Sequence, residues 1–367
     1  MGIHRLLGPA LVALMGCASP ADADAGAGAG VASSEIVGSS MGLAIGWNGK
    51  SDQFAAIARF RVAEGKNAVG PKLCHNYLQW NVGEEAPGGD PKVVGSRAYW
   101  EDWLSKANPT CDETLVSFKG RPGAAPGSAR FKMAMERFFA TDWRALTGYR
   151  GTFTYTAWNE ANNPDDAGNG LGVRIQPDLA ARYHLIVEEQ CKRHGGCLVA
   201  AGDFASNGRM DEDYDPSGDS YLSKYKATIE LESASFGLGP SYVPRVFAFH
   251  GWHDINRYLD AGAHCNDESD CLTKRVVKSM SGAWGAVEIW DTEVGSGQFR
   301  ELSDEDQACG AAYLLRMTSN LTPRITRLYY THAKGGVGRL YDGDAPRPAA
   351  AILANRAQSV PAHANCR

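Results

Sequence analysis

Eight short apolar runs recur between residues 41 and 330, most followed by a longer stretch with helical character, and this alternation leaves the chain few folds. The runs lie at 41–45, 73–80, 114–118, 152–158, 197–201, 246–250, 287–290 and 325–330. Most do not alternate apolar with polar residues, as expected of parallel strands covered on both faces. Helical stretches fall between them at 97–106, 129–146, 177–194, 220–232, 272–280 and 304–321. Pro177 opens one of these, and Ser303 stands three residues before Asp306; both are ordinary helix starts. The first strand and residues 60–76 carry the weakest pattern. Strand and helix alternating in this way predict a single (β/α)8 TIM barrel, a fold of roughly 250 residues before insertions. A doubly wound α/β sheet is the alternative that the same alternation allows. Neither an internal repeat nor a Pro/Ser-rich linker follows residue 40, so 37–367 read as one domain.

The N-terminus differs in character. A short segment ending in Arg5, an apolar run at 6–15 and the small residues Gly16, Ala18 and Ser19 predict an export signal over 1–16. That apolar run is about half of the roughly 20 residues a spanning helix needs. Leu14-Met15-Gly16-Cys17 resembles the bacterial lipobox, which makes Cys17 a candidate lipid anchor; ordinary cleavage within 21–25 is the rival reading. Residues 17–36, rich in Ala and Gly, read as a flexible tether. Of nine cysteines, setting Cys17 aside leaves eight, and an even set in an exported chain favours disulfides. Cys191 with Cys197 and Cys265 with Cys271 are local pairs across short loops. Cys74 with Cys111 and Cys309 with Cys366 are one choice among the pairings left by elimination. The absence of CxxC spacing argues against a cysteine-bound metal. A formal net charge of −5, with no Lys/Arg run, excludes the basic footprint of nucleic-acid binding.

In a barrel of this kind the chemistry sits where strands end, and two strand ends carry carboxylates. The fourth ends Tyr155-Thr156-Ala157-Trp158-Asn159-Glu160-Ala161-Asn162, and the seventh ends Glu288-Ile289-Trp290-Asp291-Thr292-Glu293-Val294-Gly295. An acid at the mouth of an apolar barrel is costly unless hydrogen-bonded or used. Two acids facing each other across a cleft are what glycosidic cleavage needs: one protonates the leaving oxygen while the other attacks the anomeric carbon or activates water. Asp291 lies two positions from Glu293, so a regular strand would point both to one side, and alternation does not choose between them.

Trp158-Asn159-Glu160 and Thr292-Glu293 resemble the acid/base and nucleophile motifs of glycoside hydrolase clan A, retaining (β/α)8 glycosidases with one Glu after strand four and another after strand seven. Ala157-Trp158-Asn159-Glu160-Ala161-Asn162 and Phe249-His250-Gly251-Trp252-His253-Asp254 are also similar to strings in exported bacterial glycosyl hydrolases. The resemblance spans roughly 40–340 and is specific at strands four, six and seven. It implies Glu160 as general acid/base, Glu293 as nucleophile and Asn159 as a partner of the sugar 2-hydroxyl, with no metal or organic cofactor. An ionised Glu293 beside Glu160 would favour the protonated acid that the first step requires. The Arg that clan members commonly offer near strand two has no clear counterpart; Arg59 and Arg61 are merely nearby.

The neighbours of these motifs invite further roles. His250 reads as a hydrogen-bonding partner of the carboxylates; with His253 it lacks an evident third metal ligand. Trp158, Trp252, Trp290, Tyr329 and Tyr330 offer faces for sugar stacking, or pack in the barrel wall. Asp203 after the fifth strand and Lys119 after the third could reach a substrate, and neither is assigned a role. The expected partner is a carbohydrate, on a monomeric chain that meets the membrane only through Cys17. A barrel lipoprotein that binds carbohydrate without cleaving it is the alternative, and an inverting or non-glycosidic hydrolase is a third reading.

Overall fold

Short runs rich in β-branched and aromatic residues pair side by side here because helices cover one face and a packed interior covers the other. The computed structural model describes residues 40–45, 52–65, 70–121, 123–164, 170–206, 210, 220–262, 264–265, 271–296, 302–320, 324–332, 339–355 and 366, with the backbone alone at 40–45, 52–53, 319–320 and 332. The expected signal, Cys17 and the tether over 17–36 lie outside the described residues.

The strands are β1 (Ser40–Ile45), β2 (Leu73–Gln79), β3 (Glu113–Lys119), β4 (Thr152–Thr156), β5 (Leu198–Phe204), β6 (Val246–His250), β7 (Glu288–Val294) and β8 (Ile325–His332). They pair in parallel in chain order, and β1 also pairs with β8, from Ser40 opposite Arg327 to Ile45 opposite His332. The architecture is an α/β barrel, and this order excludes the doubly wound sheet.

The helices are α1 (Asp52–Glu64), α2 (Arg97–Ala107), α3 (Ser128–Ala140), α4 (Trp143–Thr147), α5 (Pro177–Arg193), α6 (Tyr221–Glu232), α7 (Trp252–Ala261), α8 (Leu272–Ser279), α9 (Asp304–Asn320) and α10 (Pro348–Asn355). The single helix expected over 129–146 is two, because Thr141 is extended and the Asp142 side chain accepts the Ala145 N–H at 2.9 Å to start α4. Ser303 caps α9 as expected, accepting the Asp306 N–H at 3.1 Å. Sequence reading passed over α7, although its buried Ile255 and Tyr258 follow helical spacing.

Two apolar layers hold the barrel. Leu73, Leu115, Ala200, Val246, Ala248, Trp290 and Tyr329 form a small cluster drawn from strands alone, and a large cluster fills the space between strands and helices. Four disulfides join Cys74 to Cys111, Cys191 to Cys197, Cys265 to Cys271 and Cys309 to Cys366. Among the described residues no helix is long and apolar enough to cross a membrane.

Candidate active site

Polar layers continue from the strand-only cluster toward the C-terminal strand ends. Continuing its inward-facing sets by twos, Leu73 leads to His75 and Tyr77, Leu115 to Ser117 and Lys119, and Ala248 to His250. His75, Ser117, Thr156 and His250 are all fully buried, so each polar atom there must find a partner within the protein.

Two interruptions in the ladder set the geometry of the strand ends. Between β5 and β6, Gly202 pairs with Ala248 and Phe204 with Phe249, so Asp203 is an extra residue. Between β6 and β7, Phe249 pairs with Asp291 and His250 with Glu293, so Thr292 is extra. This second shift separates the two strand-seven acids: it breaks alternation, and Asp291 and Glu293 no longer share a side. Asp291 Oδ1 accepts the Gly251 N–H at 2.8 Å, and burial raises its carboxyl well above the ordinary carboxylate range. Any side chain at position 251 would overlap that carboxyl, which explains the glycine.

Glu293 instead meets Glu160. One oxygen of each glutamate and one ring nitrogen of His250 lie within 4.8 Å of one another. His250 Nδ1 is 2.7 Å from Glu160 Oε1 and 3.3 Å from Glu293 Oε2, and its Nε2 is 3.2 Å from Asp203 Oδ1. Glu160 Oε2 accepts from Asn163 Nδ2 at 2.8 Å. Glu293 accepts from the Tyr77 hydroxyl and, at 3.3 Å, from Trp252 Nε1. Glu160 and Asp203 are the two described non-glycine residues with left-handed backbone, at φ 50° and 67°. The Glu160 N–H donates to the Asp203 carbonyl at 2.8 Å, tying the two strained positions together. Such conformations cost about 1–3 kcal/mol each and persist where the surroundings enforce them.

The electrostatics follow from burial and from these partners. Burial lowers the His250 imidazolium, but Glu293 and the acceptors Asp203 and Glu160 outweigh it and hold the group well above the histidine range. Burial also works against the Asp203 charge, yet His250, His75 and the Thr292 hydroxyl keep this carboxyl below the usual range. Glu293 is raised by burial and by the charge of Glu160, against His250, Tyr77 and Trp252. His75 is pushed down to about 4 by burial, and its Nδ1–H donates to the Thr292 carbonyl at 3.0 Å. Glu160, His250 and Glu293 are also the set that could hold a cation. Both nitrogens of an imidazolium carry protons, so a cation bound there would have to displace one of them.

The other expected site residues separate into two groups. Trp252 joins the site through its indole N–H, and Asn159 is buried just before Glu160 with its own N–H donating to Phe118 O at 2.6 Å. Trp158 and Trp290 are wall residues, a correction to the expected stacking faces: Trp158 is 1% exposed and stacks on Tyr183, while Trp290 is 0% exposed beneath Arg327. Tyr330, 1% exposed with its hydroxyl accepting the Ser296 N–H at 3.3 Å, is packed likewise, and Tyr329 belongs to the strand-only cluster. Lys119 is buried with Nζ 6.0 Å from the Tyr77 ring centroid, and the His253 N–H donates to Ser206 Oγ at 3.1 Å. Arg59 binds Gly343 O and Asp344, and Arg61 binds Glu64 and Gly70 O, so neither supplies the missing Arg. Tyr77 and His75 stand on β2 instead, and sequence reading missed both; their inward spacing after Leu73 was the available signal. A separate cavity of about 720 Å³ lies among the first residues of β3, β4 and β5, with Trp143, Arg144 and His194, and neither Glu160 nor Glu293 lines it.

No family model and no curated protein matches the sequence. Solved structures do resemble the fold. A GH39 beta-xylosidase from Caulobacter crescentus aligns with a TM-score of 0.57 at 13% identity, over 87% of this chain and 71% of that one. A glucosidase from Croceicoccus marinus aligns at 0.54 and 10% identity, over 80% of this chain but 62% of its own length. A GH5_18 protein from Bifidobacterium longum subsp. infantis aligns at 0.52 and 10% identity, over 88% of this chain and 79% of that one. At such identities the likeness shows the barrel fold.

Proposed function

We propose that the chain is an exported retaining glycoside hydrolase of clan A type, a (β/α)8 enzyme cleaving bonds of a poly- or oligosaccharide with Glu160 and Glu293. The observation that carries this reading is the approach of one oxygen of each glutamate to within 4.8 Å. Carboxyl groups about 5–5.5 Å apart suit double displacement, whereas the roughly 6.5–9.5 Å of inverting enzymes leaves room for a water between the general base and the sugar. Glycosidases among the solved structures of similar fold support it. The export signal and the anchor at Cys17 belong to the same proposal and rest on the N-terminal sequence.

In the first step a carboxylate oxygen of Glu293 bonds to the anomeric carbon as the glycosidic bond breaks, and Glu160 gives its proton to the departing oxygen. In the second, Glu160 takes a proton from water, the water oxygen bonds to the anomeric carbon, and Glu293 leaves as carboxylate. The donors are distributed for these roles. Tyr77 and Trp252 donate to Glu293, the group that must be an anion before attack, and His250 lies between the pair, 2.7 Å from Glu160 and 3.3 Å from Glu293. Asn159, next to Glu160, is the proposed partner of the sugar 2-hydroxyl.

Glu160→Gln and Glu293→Gln, assayed on a panel of aryl glycosides and on oligosaccharides, test the roles. Both substitutions should abolish hydrolysis of unactivated substrates while sugar binding persists. Hydrolysis unchanged in either variant removes that residue from the mechanism. Sugar binding with no hydrolysis by the unsubstituted protein on any substrate would favour the non-catalytic barrel.

A further inference from the structure

Asp203 takes no part in either chemical step, yet the site converges on it. Its carboxylate is fully buried beneath the two glutamates and touches four strands. Oδ1 is 3.2 Å from His250 Nε2 on β6 and accepts the Thr292 hydroxyl of β7 at 2.6 Å. Oδ2 accepts the Ser117 hydroxyl of β3 and the Thr156 hydroxyl of β4, each at 2.7 Å. Its carbonyl accepts the Glu160 N–H, and its own backbone is left-handed at φ 67° inside a break in the ladder. A buried carboxylate and a strained backbone are both unfavourable in isolation, and a structural plug would need neither.

The ring of His250 has one degree of freedom that matters, which edge faces the glutamates. With Nε2–H held by Asp203, Nδ1–H is 2.7 Å from Glu160 and 3.3 Å from Glu293. We propose that Asp203 is a positioning residue of the proposed glycosidase, keeping the Nδ1–H edge of His250 aimed at both glutamates through both half-reactions. The N–H hydrogen-bonds Glu160 Oε1 at 2.7 Å, holding the acid toward the departing oxygen and then the base toward water, while Glu293 Oε2 lies 3.3 Å away. The inference rests on the glycosidase reading, and it adds a residue that touches neither sugar nor water.

The groups that face His250 are Glu160 after β4, Asp203 of β5 and Glu293 of β7, with His75 of β2 and Asp291 of β7 in electrostatic reach. Asp203→Asn retains an oxygen for Nε2–H and removes the charge. For substrates with poor leaving groups, which need protonation by Glu160, kcat/KM should fall roughly 100-fold, the scale of one general acid contribution. For 2,4-dinitrophenyl glycosides, whose leaving group needs no proton, kcat/KM should stay within about threefold. The basic limb of the pH profile should move to lower pH as the imidazolium loses its anionic partner. Equal losses on both substrate types, with an unmoved basic limb, would make Asp203 merely structural and overturn the proposal. Histidine ring nitrogen NMR, with His250 assigned through His250→Gln, gives a readout independent of activity. In the unsubstituted protein His250 should carry two ring protons at neutral pH, and a neutral ring would overturn the proposal even if Asp203→Asn does not fold. Absence of hydrolysis by the unsubstituted protein on any glycoside would instead refute the glycosidase reading itself.

Discussion

Replacing Tyr77 with Phe removes one hydroxyl and keeps the ring, at a residue 2% exposed on β2 whose O–H donates to Glu293. Burial and the nearby Glu293 charge push the phenol well above its usual range, so it stays a neutral donor at any working pH. A hydrogen bond to a charged acceptor contributes about 1.5–3 kcal/mol. Each pH unit of carboxyl displacement corresponds to about 1.36 kcal/mol, so the loss should raise Glu293 by about 1–2 units. The sign is fixed because the bond favours the carboxylate, the form that must attack. The acid limb of kcat/KM against pH, measured with an aryl glycoside, should therefore shift upward by about 1–2 units in Tyr77→Phe. Below the midpoint of the unsubstituted enzyme the rate should drop roughly 10- to 100-fold, while the plateau changes little. An acid limb that stays in place, or moves downward, would refute the assignment of Tyr77 as a partner of the ionised Glu293.

Two further predictions concern stability. Burial raises the Glu188 carboxyl on α5 to about 7 against an ordinary 4.5, so the native state binds the extra proton and stability falls as pH rises through that interval. Glu188→Gln should stabilise the fold by up to about 3 kcal/mol at pH well above 7 and by nothing below pH ~4.5; urea unfolding at both extremes checks this, and a pH-independent difference would contradict it. Cys74–Cys111 joins residues 37 apart and Cys191–Cys197 residues 6 apart. Loop-closure entropy then predicts a loss of about 4 kcal/mol for the double Ser substitution at the first pair and about 2 kcal/mol at the second. The reverse order in chemical denaturation would show that closure entropy is not what these bridges contribute.

The strand–helix alternation was visible in the sequence because parallel strands buried on both faces must be short and apolar, and the run at 246–250 matches β6 residue for residue. Helix ends were visible where capping chemistry is local, as at Ser303, and invisible where the chain breaks for a tertiary reason, as between α3 and α4. Glu160 and Glu293 stood out through their motifs, and His250 through its place between them. Asp291 and Glu293 were inseparable by alternation because the extra residue Thr292 is a property of how β7 pairs with β6. Tyr77 and His75 had no motif at all, since Tyr77 meets the Glu293 carboxylate 216 residues on and His75 the Thr292 carbonyl 217 residues on. Trp158 and Trp290 misled for the opposite reason: an aromatic side chain fits a sugar face and a barrel wall equally well, and only packing separates the two.

The most direct test of the two-glutamate account is trapping. The protein would be incubated with activated 2-deoxy-2-fluoro glycosides, which slow the second step more than the first, digested, and mapped by mass spectrometry. The account predicts one glycosyl adduct, on Glu293, with release of product whose anomeric configuration matches the substrate. An adduct on Asp291 or elsewhere would contradict the assignment of the nucleophile, and product of the opposite anomeric configuration would contradict double displacement.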